Sequence, residues 1–239
     1  MLGPSLLSWE GEHFIRVREA PPRLIVVRAG GALRLSCSVL ASPAPRVTWS
    51  RAEAREVREP GPWSAEDSLA ETVAVLSVLC VDRSHSGVFR CRGESGERMV
   101  EEVTRVVITS GPGECGEEEG EPPVITNWFK TLMIPIGEPA ALDCKIKVHI
   151  KRVQFEFIYF QCSIKISAQK SDTEWRRGGG RELFTSARDR HGVYNGSLVI
   201  PRVEWGHMGQ YICTANNGFG AESVATFLYP LKLNVFKGI

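Results

Sequence analysis

Two cysteine frames repeat along this chain, and they constrain its fold more than any other feature. Cys37 has Leu35 two residues before it and Gly30 seven before, and Cys144 has Leu142 and Gly137 at the same offsets. Cys91 follows Gly87 by four residues and Phe89 by two, and Cys213 follows Gly209 and Tyr211 in the same way. Leu76 and Leu198 both stand fifteen residues before those later cysteines, and Val78, Val81 and His85 match Ile200, Val203 and His207. So many shared offsets define two copies of one unit in 239 residues. At roughly 100–200 residues per domain the length fits two domains.

Within each copy, short apolar-alternating runs are bounded by turn residues. Those of the first half are LIVV at 24–27, ALRLSCSV at 32–39, RVTW at 46–49, TVAVLSVL at 72–79, VFRC at 88–91 and TRVVI at 104–108. The second half repeats them with ALDC, SLVI, QYIC and VATFLY. Period-2 strands at this spacing predict an all-β sandwich or barrel. Between the halves, GPGECGEEEGEPP at 111–123 has five Glu and neither period, which is the composition of a linker. The expected organisation is an N-terminal segment at 1–17, a first domain at 18–110, an acidic linker at 111–122 and a second domain at 123–236.

The order Cys37, Trp49, Cys91 resembles an immunoglobulin domain, with a strand B cysteine, a strand C tryptophan packed on the disulfide and a strand F cysteine. The resemblance implies a Cys37–Cys91 bond and a Cys144–Cys213 bond, each between two sheets. Tyr211 then supplies a tyrosine-corner hydroxyl, and the first domain, with Phe89 there, must satisfy the same backbone in another way. The G-x-Y-x-C segment and the N-N-G-F-G after Cys213 resemble the I-set subclass, so the expected fold is two tandem I-set immunoglobulin-like sandwiches. That subclass carries an acid where this chain has His85 and His207, which puts its acid–Arg pair in doubt.

The second copy departs from the pattern. A strand C tryptophan is expected near residue 156, but Trp175 stands 31 positions after Cys144. Removing about 151–169 restores the spacing, makes Trp175 the core tryptophan and takes out Cys162. The stretch is expected to be an insertion, either a retained intron or a real loop; the competing reading is an alternating strand C with Phe157 in place of the tryptophan. Seven cysteines are an odd number, and a foreign Cys162 explains it. Cys80 and Cys115 then form a possible extra disulfide that ties the linker to the first domain.

Charge and motifs narrow the function. Residues 1–121 carry 14 Arg, no Lys and 19 acids, and the remainder is basic, so the net +1 is a cancellation. Bulk charge gives no case for nucleic acid, and no apolar run approaches the ~18 residues of a membrane span. The five His, at 13, 85, 149, 191 and 207, form no zinc-ligand spacing, Gly178-Gly179-Gly180 lacks the Lys of a phosphate loop, and there is no G-x-S-x-G elbow. No enzyme, cofactor or metal is expected. Arg176, Arg177 and Arg181 read as a solvated turn in preference to a glycan site. Asn195-Gly196-Ser197 is a glycosylation sequon, expected at a turn. Disulfides require an oxidising compartment, so secretion is expected although MLGPSLLSWEGEH is a poor signal and the N-terminus reads as incomplete.

One stretch goes further. NGSLVIPRVEWGHMGQYICTANNGFGAESVATFLYPL at 195–231, with W-x-x-M-G-x-Y-x-C, A-x-N and A-T-F-x-Y-P, resembles the arthropod imaginal-morphogenesis-late family, also called neural/ectodermal development factor. In the first domain 14–22, 42–49 and 91–96 resemble it more loosely. The chain is also similar to the small secreted two-immunoglobulin proteins of nematode neurons. The resemblance implies a secreted, non-enzymatic protein that binds insulin-like peptide hormones and restrains growth signalling. It places no hormone-contacting residue. The alternative is a soluble or matrix-associated adhesion or axon-guidance protein whose partner is another cell-surface or matrix protein.

Overall fold

The computed structural model describes residues 13–52, 67–111, 115, 121–147, 159–163, 183–188, 193–216 and 219–232. Seven strands form the first half: β1 (Phe14–Glu19), β2 (Leu24–Arg28), β3 (Leu33–Ser42), β4 (Arg46–Arg51), β5 (Leu69–Val78), β6 (Gly87–Ser95) and β7 (Arg98–Thr109). Seven more follow: β8 (Val124–Pro135), β9 (Ala140–Lys147), β10 (Tyr159–Ser163), β11 (Leu183–Arg188), β12 (Val193–Ile200), β13 (Gly209–Asn216) and β14 (Ala221–Leu231). One-turn 3-10 helices at Arg83–His85 and Trp205–His207 precede β6 and β13.

In the first half, β2-β7-β6-β4 form a four-stranded sheet that faces β1-β3-β5. Their inward residues alternate as the pattern requires. Leu33, Leu35, Val81, Phe89, Val106 and Ile108 make one core cluster, and Cys37, Val39, Val47, Ala74 and Cys91 the next. Trp49 packs beside both clusters, and its indole Nε1 donates to the carbonyl of Ala74 in the opposite sheet at 2.9 Å. The sheets are so close at Gly93 that a Cβ there would lie 2.9 Å from both methyls of Val39.

The sheet β1-β3-β5 does not end at β5. The next strand is β8, from the second half, in antiparallel register: Leu69 opposite Met133, Glu71 opposite Thr131, Val73 opposite Trp128 and Ala74 opposite Asn127. On its other side β8 divides its partners. Val124–Trp128 pair with β9, and Thr131–Pro135 run parallel to Phe227–Leu231 of β14. One strand therefore hands both sheets of the second half onto the first, and a continuous path β1-β3-β5-β8-β14-β13-β10 results. A core crosses the same seam, because Ala44 and Ala70 of the first half cluster with Phe129, Leu132, Ile134, Leu142, Leu198, Tyr211 and Leu228. Polar contacts fasten its flanks. Asn127 Nδ2 donates to the carbonyl of Val47 at 2.8 Å, Lys130 Nζ lies 3.0 Å from Glu19 and 3.2 Å from Glu71, and Arg34 reaches Glu222 at 2.6 Å.

The stretch expected to be an insertion contains β10. It pairs antiparallel with β13 and sets Cys162 opposite Cys213, the register at which Trp49 stands opposite Cys91 in the first half. A strand of the second half thus comes from 159–163, within the stretch expected to be an insertion. The reason is legible afterwards: IYFQCSI is β-prone, and β13 offers it an edge. Trp175 lies outside the described residues, as do Phe157 and Arg176, Arg177 and Arg181.

The Gly93 approach yields a test. Gly93→Ala must push Val39 or Val100, both packed in the core, and should lower stability by about 1–3 kcal/mol. Urea unfolding with an unchanged slope and a lowered midpoint is the expected reading.

Candidate binding face and the elements that hold it

Three disulfides are present: Cys37–Cys91, Cys144–Cys213 and Cys80–Cys115. The first two span 54 and 69 residues and join β3 to β6 and β9 to β13. On chain entropy each stabilises its sandwich by about 4 kcal/mol. The third bonds the residue two past β5 to the linker.

The turns before β6 and β13 solve one problem with different residues. The Tyr211 hydroxyl donates to the carbonyl of His207 at 2.9 Å, which closes the tyrosine corner. In the first half Phe89 has no hydroxyl; the Arg51 guanidinium lies 5.7 Å from the Phe89 ring centre and donates to the carbonyl of Ser86, one residue past the equivalent of His207, at 2.7 Å. The paired histidines also have a common task. His85 Nδ1 accepts from the backbone N–H of Asp82 at 3.1 Å, and His207 Nδ1 from that of Glu204 at 2.9 Å. Each imidazole caps a 3-10 turn in the way a carboxylate caps a helix. Hydrogen bonds from the Ser84 hydroxyl and then the Ser84 backbone hold the Asp82 carboxyl below its ordinary value, with a smaller contribution from His85. Among the described residues no group of three His, Cys, Asp or Glu is placed to hold a metal ion.

Asn195 lies within β12, opposite Lys145 on one side and Ala187 on the other. The sequon is therefore in a paired strand and not at the expected turn, because the neighbouring β9 and β11 continue the ladder past Gly196.

The surface that stands out is on the seam. Alternation along β14 turns Thr226, Leu228 and Pro230 inward and leaves Phe227 and Tyr229 facing out, 42% and 38% exposed. Ladder partners share a face, so Phe227 has Gln210 on one side and Thr131, then Glu71, on the other. Tyr229 has Met133 and then Leu69. These ladder rows continue from the second half into the first, where Glu71 is partly exposed and Leu69 is buried. Lys130, beside it, has its pKa held above the ordinary value by the hydrogen bonds it donates to Glu19 and then to Glu71. Trp205 and Met208, 53% and 44% exposed, project from the 3-10 turn near the end of β14. Two aromatic rings and a thioether on a rigid sheet give an adaptable apolar contact surface with a polar rim, the anatomy of a protein-binding patch. In the sequence Phe227 and Tyr229 stand only inside the A-T-F-x-Y-P motif. The usable signal was strand β5, where Ala70, Val73, Ala74 and Val75 are apolar on both parities, as in a strand with neighbours on both edges and cover on both faces.

The sequence pattern of the immunoglobulin domain matches residues 16–95. The chain is similar to Zwei Ig domain protein zig-4 of Caenorhabditis elegans, 24% identical over 88% of this chain and 78% of that one. Neural/ectodermal development factor IMP-L2 of Drosophila melanogaster is 23% identical over 91% of this chain and 77% of that one. The crystal structure of neural ectodermal development factor IMP-L2 superposes with a TM-score of 0.66 at 18% identity, covering 93% of this chain and 97% of that one. The chain is a non-enzymatic, all-β immunoglobulin-domain protein. Homologues of it include IMP-L2 and the zig proteins.

Two predictions follow from the turns. Tyr211→Phe removes the donor to the His207 carbonyl and should cost about 1 kcal/mol, measured by thermal unfolding. Asp82 has a depressed folded value, so it stabilises above its unfolded value of about 3.8 and loses that contribution as pH falls through the folded one. Asp82→Asn should therefore flatten the acid limb of the stability–pH curve below about pH 4 by lowering stability at neutral pH towards its acid value, as read by unfolding across that range.

Proposed function

We propose that this protein is a secreted binding protein that sequesters insulin-like peptides and so restrains growth signalling. The observation that carries the reading is the similarity to IMP-L2 over 91% of this chain and 77% of that protein, together with the resemblance of residues 195–231 to that family's pattern. The hormone-binding activity comes from the resemblance. Two physical features support it. A small amphipathic hormone is best captured by a preformed surface, since ordering a loop at binding costs affinity, and the strip with Phe227, Tyr229 and Met133 lies on paired strands. Three disulfides suit an oxidising, extracellular setting.

The test is titration of the purified protein with insulin-like peptides of its own species. Binding at or below micromolar concentration is expected. Phe227→Ala and Tyr229→Ala should each weaken it by at least roughly tenfold, about 1.4 kcal/mol or more. Retained folding is checked by circular dichroism. No binding at micromolar concentration removes the hormone reading, and protein-dependent aggregation of cells in its place would establish the adhesion alternative.

A further inference from the structure

A second surface lies on the other sheet. Strand β2 is an edge of β2-β7-β6-β4 and pairs only with β7 among the described residues. The parallel register settles which way its backbone points. Arg105 N–H donates to the Arg23 carbonyl and Ala29 N–H donates to the Thr109 carbonyl. In a parallel ladder these bonds fall on alternate residues of one strand, so Arg23, Ile25, Val27 and Ala29 face β7. Leu24, Val26 and Arg28 then direct N–H and C=O groups to the open edge, where Gly31 N–H takes only the Arg28 carbonyl. Side chains follow the same alternation: Ile25 and Val27 pack on the core, while Leu24 and Val26 stand 57% and 59% exposed. Natural edges of this kind are normally blunted by inward charges, bulges or cover. Here the groups that seek hydrogen bonds and the two most exposed large aliphatic side chains among the described residues belong to the same residues.

The charges around the edge select its occupant. Arg23, Arg28 and Arg105 are exposed, and Arg105 stands in the same ladder row as Leu24. No ion pair links these three to an acid among the described residues. A second copy added about a two-fold axis through Val26 would set its Arg28 opposite Leu24. That guanidinium would then lie one further strand, about 10 Å at the backbone, from Arg105, and symmetry would repeat the clash. At that distance the like charges repel weakly, and the repulsion disfavours self-pairing most at low ionic strength. A strand that carries carboxylates where a second copy carries Arg28 removes the repulsion and pairs with Arg28 and Arg105.

We propose that β2 is a docking edge for an extended acidic peptide segment, which adds as a fifth strand with an apolar residue opposite Val26 and carboxylates on either side of it. The edge belongs to the four-stranded sheet, whereas Phe227 and Tyr229 belong to the ten-stranded one, so this proposal stands or falls separately from the hormone reading.

The probe is a fluorescent heptapeptide, acetyl-Thr-Glu-Thr-Val-Thr-Glu-Thr-amide, with a counterpart in which Lys replaces both Glu. It is titrated to roughly millimolar concentration, where a single added strand is measurable, while amide exchange of β2 is followed by NMR. The acidic peptide should bind, slow exchange at Leu24 and Val26, and leave Ile25 and Val27 unchanged. Val26→Pro removes one open-edge donor and no β7 bond, and should abolish the binding. Arg28→Glu combined with Arg105→Glu leaves the backbone intact and should weaken the acidic peptide about tenfold while favouring the Lys peptide. Equal binding of both peptides, or no protection of Leu24 and Val26, overturns the proposal. So does protection that grows with protein concentration in the absence of peptide, which would make a second copy the occupant.

Discussion

The pairing of β5 with β8 is the interaction on which the rest of this structure depends. It joins the sheet that carries Cys37 to the strand that supplies partners to both β9 and β14. Without it, β5 and β8 would each present a bare edge, and Ala44, Ala70, Phe129 and Leu132 would lose their common cluster. The contacts at its flanks are mostly exposed ion pairs of small individual worth. The apolar residues between the strands, and the ladder itself, carry the stability. The two halves should consequently melt as one cooperative unit, because opening the seam exposes core on both sides.

How much of this was written in the residues divides along physical lines. Offsets around Cys37, Cys91, Cys144 and Cys213 determine a sandwich because a disulfide between sheets needs its neighbours to alternate inward, and a period of two survives any loop length. Tyr211 and Trp49 were readable for the same reason: each sits at a fixed distance from a cysteine and has one polar atom to satisfy. Arg51 was not readable. Its contact with Ser86 depends on the approach of two strands 35 residues apart, and nothing local marks it.

Position 162 is legible only from the ladder. The spacing from Cys144 points to Trp175, which lies outside the described residues, whereas residues 159–163 pair with β13 and set Cys162 opposite Cys213. The exposed aromatic strip was hidden for a further reason. Phe227 and Tyr229 face outward in a sequence that otherwise reads as a regular core strand, and their continuation into Thr131, Met133, Glu71 and Leu69 exists only once the halves are joined.

The Cys80–Cys115 bond has a bearing on that junction. By the chain alone, 45 residues separate the end of β5 at Val78 from the start of β8 at Val124. Through the disulfide the path is 79, 80, and then 115 to 123, which is 11 residues. The end of β5 is also the end that meets the beginning of β8, since Ala74 stands opposite Asn127. In covalent terms two strands distant in sequence become the arms of a hairpin. The shorter loop reduces the entropy lost on closure by about 1 kcal/mol, and it keeps β8 at a high effective concentration beside its partner. Reduction of this one bond would leave both sandwiches tied by their own disulfides and loosen only the register between them.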